Sequence, residues 1–200
     1  MGAVLEGNED IKWTPSVIVS KYSIADTREM DELLGRPALE ADFREYGVEP
    51  EDYAYSEGNA LTTVGLQRLG DLFTGASAFG FTASRGMMGV GDSSTANSPA
   101  VSPAYTALLG TASTGQFYVP ITGAASSTNG LVAASANFTS AQANYQWNEW
   151  CWAIATAAPV ANSSFATATT SGVMLNRKVQ NLGTKASGAT WTLSASVQFS

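Results

Sequence analysis

Trp191-Thr192-Leu193-Ser194-Ala195-Ser196-Val197-Gln198-Phe199-Ser200 decides the fold, because every odd position is apolar and every even position is polar. Successive side chains of an extended chain point to opposite faces. An unbroken period of two therefore marks a strand with one face on a core. Trp191, Leu193, Ala195, Val197 and Phe199 are the predicted core residues, since a slip of one residue would turn all five into water.

Working outward, Val132, Ala134, Ala136 and Phe138 alternate with Ser135, Asn137 and Thr139 and give a second strand of the same kind. Tyr145–Ile154 is apolar and aromatic at neighbouring positions, which predicts a central strand with aromatics on both faces. Gly172–Val179 supplies another strand, and Thr184–Gly188 is the loop leading into the last one. Upstream, Met87-Met88-Gly89-Val90-Gly91-Asp92 reads as a strand entering a turn, and Phe117–Ile121 as a strand that Pro120 places at an edge. Two helices interrupt the series. One runs from an Asn59 cap to Phe73 and stops at Gly75, with Gly65 and Gly70 marking close backbone packing; a shorter one follows Ser102-Pro103 and ends at Gly110. Short strands with regular turn signals predict a mainly β chain: a jelly-roll-like β-sandwich over residues 57–200 with one or two short helices.

Charge separates this body from what precedes it. Residues 1–56 hold 13 acids and 5 bases, whereas residues 57–200 hold 4 acids and 5 bases. The acidic segment offers one short strand, Val17-Ile18-Val19 with Tyr22, and helical turns around Glu29–Leu34 and Ala38–Tyr46. Such pieces bury no core of their own, so the expectation is an extended N-terminal arm lying on a neighbouring subunit. The charged share of the chain, 14%, is low against a typical share of about 25%. Small residues fill the gap, as suits a surface that ends up against partners.

Composition also bears on chemistry. The chain has no histidine and one cysteine, Cys151, set in an apolar run and read as a buried hydrophobe. Nucleophile–histidine pairs, common zinc sites and an intrachain disulfide are thereby excluded. No cofactor or metal is expected. Gly86-Met87-Met88-Gly89-Val90-Gly91 reverses the dinucleotide-binding glycine pattern and precedes no helix. The net charge of −7 gives no basic patch for nucleic acid. No run of apolar residues is long enough for a bilayer span, and no signal peptide is read at the start, so synthesis in a cytoplasm is expected. Asp92 and Glu149 form the one carboxylate pair that a glycosidase reading would use. Tyr145, Trp147, Trp150 and Trp152 form the one aromatic cluster that a glycan platform would use, although inter-sheet packing is the better account of them. Two Asn-x-Ser/Thr triplets, at Asn137 and Asn162, are read as chance. One of Arg177 and Lys178 is expected to pair with Glu149 or Asp92, because the body has so few acids.

Several segments together resemble a known family. These are Glu57-Gly58-Asn59-Ala60-Leu61 opening a Gly-Leu-Gln-Arg-Leu helix, Gly89–Ala96 with Asp92, and Ala143–Trp150 with Trp147, Asn148, Glu149 and Trp150. Leu175–Val179 with Asn176, Arg177 and Lys178, then Leu182–Lys185 and the final strand, complete the set. In order and spacing they are similar to small virion structural proteins of tailed phages, especially phages of actinobacteria. The resemblance spans residues 57–200 and implies a virion component without enzymatic activity, in the head or the tail. The expected function is a capsid decoration, cement or minor head protein. The expected partners are further copies of itself, with a trimer preferred, and virion proteins such as the major capsid protein, with no nucleic acid and no membrane. The alternative is a tail or fibre protein that binds a host-surface glycan.

Overall fold

The computed structural model describes residues 13–58, 60–76, 79–96, 105–111, 114–128 and 131–199; side chains of residues 13–15, 60, 123–128 and 199 fall outside that description. In chain order the elements are β1 (Trp13–Lys21), α1 (Ile24–Leu34), α2 (Glu40–Glu45), β2 (Asp52–Glu57), β3 (Ala60–Leu61), α3 (Thr63–Thr74), β4 (Gly86–Gly91) and β5 (Gln116–Pro120). They continue with β6 (Thr122–Thr128), β7 (Leu131–Phe138), β8 (Gln146–Ile154), α4 (Phe165–Thr169), β9 (Val173–Met174), β10 (Asn176–Thr184) and β11 (Trp191–Phe199). The strands form two antiparallel sheets. One has the order β2-β1-β11-β7-β6, and the other β3-β10-β8-β4-β5 with β9 added beside β8.

The two sheets pack face to face as a β-sandwich. Its core joins Val17 and Val19 of β1, Phe138 of β7 and Leu193 and Val197 of β11 to Met88, Val90, Trp150 and Trp152 of the second sheet. Trp191, Leu193, Ala195 and Val197 are buried there, as their alternation predicts, while the Phe199 side chain lies outside the described residues. Trp147 fills the centre, edge-on to both Phe138 (4.8 Å) and Trp191 (4.9 Å). The fold class expected from sequence therefore holds, with four helices among the described residues rather than one or two.

The division at residue 57 needs correction. Residues 13–57 are not an extended arm: β1 pairs with β11 along its full length, Trp13 opposite Phe199 through Lys21 opposite Trp191, and β2 pairs with the other edge of β1. The intervening helices have a small core of their own, in which Tyr22 stacks on Phe43 at 3.9 Å beside Met30 and Ala38. Ser23 caps α1 by accepting from the Asp26 N–H, and Gly35 ends it in the left-handed conformation. The pair α1–α2 is pinned over the outer face of the first sheet. The Thr190 N–H donates to Thr27 Oγ1 (2.9 Å), and the Glu40 N–H donates to Asn137 Oδ1 (3.1 Å).

Other differences are local. The expected helix after residue 103 is absent from 105–111, and residues 101–104 lie outside the described set. α3 begins later than expected, capped by Thr62, whose hydroxyl accepts from the Gly65 N–H; Asn59 lies outside the described residues. Gly65 is required by packing, because a Cβ there would stand 2.2 Å from the Leu175 carbonyl oxygen, whereas Gly70 faces open space. β8 does not carry aromatics on both faces. A register shift against β10 between Val179 and Gly183 lets Trp147 share the inter-sheet face with Trp150 and Trp152. Cys151 and Ala153 take the outer face, against Met87, Tyr118, Ala168 and Met174.

The covering of the sheet fixes how two neighbouring substitutions compare. Leu193→Ala is expected to cost about 2–5 kcal/mol through lost burial and the cavity left behind. Thr192, on the opposite face, is itself buried under α2 and donates to Asn137 Oδ1 at 2.6 Å. Thr192→Ala is therefore expected to cost about 1–3 kcal/mol by leaving that acceptor short of a donor. Urea melts of the two variants check the order, and a negligible loss for Thr192→Ala would mean that α2 does not seal this face.

Candidate functional site: a buried ionic clasp

Of the residues singled out in the sequence, Asp92, Asn148, Glu149 and Arg177 meet at the outer face of the second sheet. Glu149 lies on β8 and Arg177 on the adjacent β10, where Lys178 stands opposite Trp150 and so sets Arg177 beside Cys151. Arg177 Nε donates to Glu149 Oε2 at 2.6 Å, and both side chains have 0% exposure. Glu149 Oε2 also accepts from the Leu109 N–H (3.2 Å), and Oε1 accepts from the Gly110 N–H (2.6 Å). Arg177 Nη2 donates to the Thr95 carbonyl (2.9 Å), and the guanidinium lies over the Tyr105 ring, 5.1 Å from its centroid. The expected pairing of Arg177 with one of the few body acids is present.

Asp92 extends the same network. It accepts from the Thr111 N–H (2.9 Å) and from Thr111 Oγ1 (3.2 Å), while Asn148 Nδ2 donates to its backbone carbonyl (2.9 Å). Two carboxylates and one guanidinium thus clamp two loop stretches, 92–96 and 105–111, onto β8 and β10. The glycines of β4 make room for this. A Cβ at Gly91 would meet Glu149 Oε1 at 2.3 Å, and one at Gly89 would meet the Tyr118 ring at 2.4 Å. That close approach, and not phosphate binding, is what the glycine-rich stretch serves.

Asn176 is buried and its Oδ1 accepts from the Trp152 N–H (2.7 Å). Lys178 is half-buried and stands apart from the clasp. Trp147, Trp150 and Trp152 are all buried, with Trp147 Nε1 donating to the Ala143 carbonyl (2.9 Å) and Trp150 Nε1 to Ser56 Oγ (3.4 Å). They present no platform to a glycan. Cys151 is fully buried, and burial pushes its thiol well above the usual range, so it is an unreactive core residue. Asn137 is buried in the hydrogen bonds that seat α2, which removes it as a glycosylation acceptor.

One polar anchor gave no sequence signal. Lys185 is buried with no acid paired to it among the described residues; its Nζ donates to Asn144 Oδ1 (2.6 Å) and to the Thr139 carbonyl (2.9 Å), and burial lowers its pKa to about 8. Only its place in a short loop between two strands could have suggested a structural role.

Chemically, the clasp binds chain to chain. Both oxygens of Glu149 are engaged and sealed from water, so the Asp92–Glu149 pair lacks the solvent-facing acid and base that glycoside hydrolysis needs. No metal-ligating cluster of His, Cys, Asp or Glu exists among the described residues, and no described helix is long and apolar enough to cross a membrane. No family model, no curated protein and no solved structure matches this chain.

Proposed function

We propose that the chain is a non-enzymatic structural subunit of a tailed-phage virion, a capsid decoration, cement or minor head protein that assembles with copies of itself. The observation that carries the assembly reading is α3. Of its 12 residues only Gly65 is buried, and Phe73 and Leu66 are 85% and 43% exposed. These two stand seven residues apart, two turns along one side of the helix, with Leu69 between them. A large aromatic left almost wholly in water beside further apolar side chains marks a surface that a partner covers. Within α3 the single base, Arg68, and the single acid, Asp71, balance, so the helix itself adds no net charge to that surface. The virion context rests on the sequence resemblance. Binding that favours only the assembled state would stabilise the particle by mass action.

Phe73→Asp tests this. Sedimentation of the purified chain is expected to show reversible self-association that the variant weakens roughly thirtyfold or more, the size of a central apolar contact at an interface. Particles made with the variant should carry less of the chain. A wild-type chain that stays monomeric at high concentration and is missing from particles would overturn the reading.

A further inference from the structure

The outer face of the first sheet offers a second surface, far from the clasp. Strand register places Tyr55, Ile18, Ser194, Ser135 and Thr122 in one row across all five strands. In the next row lie Tyr53, Ser20, Thr192 and Asn137. Ser20, Thr192 and Asn137 are buried beneath the α1–α2 unit, whereas the first row is left open. The step between roof and open face forms a groove of about 350 Å³, floored by Ser16, Ser135, Ser194 and Ser196 and walled by Glu40 and Arg44 of α2. A second hollow of about 440 Å³ continues past Arg44 to Tyr53 and shares Ile18, Glu40, Arg44 and Ser194 with the first. The two are one trough, and five strands give it a length of about 19 Å.

Its lining defines what fits. The floor is a row of small hydroxyls interleaved with Ile18 and Ala133, with Ser16 Oγ and Ser196 Oγ sharing a hydrogen bond of 2.9 Å. At the β2 end, Tyr53 and Tyr55 are 55% and 56% exposed on the same face, about 7 Å apart along the strand. The Tyr55 hydroxyl donates to Glu57, which holds its ring. Arg44 meets Glu40 at 3.1 Å, yet its side chain is 77% exposed, leaving donors free for a ligand. Glu40, Glu49 and Glu57 outnumber Arg44 around the trough, so phosphates, nucleic acid and acidic ligands are repelled. The apolar part of the floor is confined to Ile18 and the small side chains of Ala133, Ala134 and Ala195, which offer an apolar helix little to bury against. Exposed rings, a file of hydroxyls and a carboxylate–guanidinium pair suit a ligand that stacks its C–H faces and hydrogen-bonds along its edges.

We propose that this trough binds a neutral hexose oligosaccharide. The site is independent of the α3 surface and of the virion assignment. Calorimetric titration of the full chain with cellohexaose, maltohexaose and the hexamer of N-acetylglucosamine tests it, with polygalacturonate as the acidic control. At least one neutral hexamer is expected to bind in the micromolar to millimolar range, more tightly than polygalacturonate. Tyr53→Ala/Tyr55→Ala and, separately, Arg44→Ala should each weaken that binding roughly tenfold or more. These side chains are exposed, so melting temperatures should stay near wild type, and Phe73→Asp should leave the affinity unchanged. No binding by any neutral hexamer, stronger binding of polygalacturonate, or binding that survives the tyrosine double substitution would each overturn the proposal.

Discussion

Deleting residues 1–50 is expected to leave a chain that does not fold cooperatively. The loss is not that of a tether. β1 sits between β2 and β11, so its removal strips β11 of a nine-residue partner and leaves β2 with none. Val17 and Val19 leave the core facing Trp150 and Leu193. Each buried valine contributes roughly 1.5–3 kcal/mol, and the α1–α2 unit that covers Thr192 and Asn137 goes with them. A typical domain is stable by only about 5–15 kcal/mol, which losses on this scale exhaust. Circular dichroism and thermal melts of the truncated chain measure it. A cooperative transition close to that of the full chain would mean that β11 finds another partner and that the pairing with β1 is dispensable.

That outcome bears on what the sequence could reveal. The last strand was legible because its alternation is local and complete. β1 was legible only as Val17-Ile18-Val19, since its flanking residues are polar and the partner that fixes its length lies some 180 positions away. Long-range pairing leaves no mark on a local pattern. β6 carries no local signal for a related reason: Thr122–Thr128 consists of small residues with no apolar–polar alternation. The segment ending at Gly110 looked helical because Pro and Gly bracket it. Its Leu108, Leu109 and Gly110 N–H groups donate instead to the side chains of Tyr118 and Glu149, which an isolated segment cannot anticipate. A strict period of two puts the tryptophans of β8 on two faces, and the register shift against β10 breaks that period. The Arg177–Glu149 pair was legible from scarcity alone, because five body cations compete for four acids. The trough, assembled from residues between Ser16 and Ser196, gave no sequence signal.

Arg177→Met is expected to cost about 3–5 kcal/mol, the usual penalty for leaving one member of a buried pair uncompensated. Glu149 would then keep only the Leu109 and Gly110 N–H groups for a charge that has no access to water. Glu149→Leu should cost a similar amount, because it takes the carboxylate away from the guanidinium and from both backbone donors. The double variant separates the pair from its surroundings. If the ion pair itself is the main contact, Glu149→Leu/Arg177→Met should recover at least about 2 kcal/mol relative to the sum of the single losses. It should remain below wild type, since nothing then accepts from Leu109 and Gly110. Urea melts give these energies, and amide exchange at Leu109 and Gly110 reports the loop directly. In all three variants those two amides should exchange faster than the core amides of β8. Additive losses would show that Glu149 and Arg177 act separately, each holding its own loop stretch. Protected amides in the double variant would show that the 105–111 segment is held by Asp92 and Thr111 instead. The clasp lies at the far side of the sandwich from the α1–α2 roof. A destabilised clasp should therefore free the 105–111 loop while leaving the melting of the β1–β11 ladder cooperative.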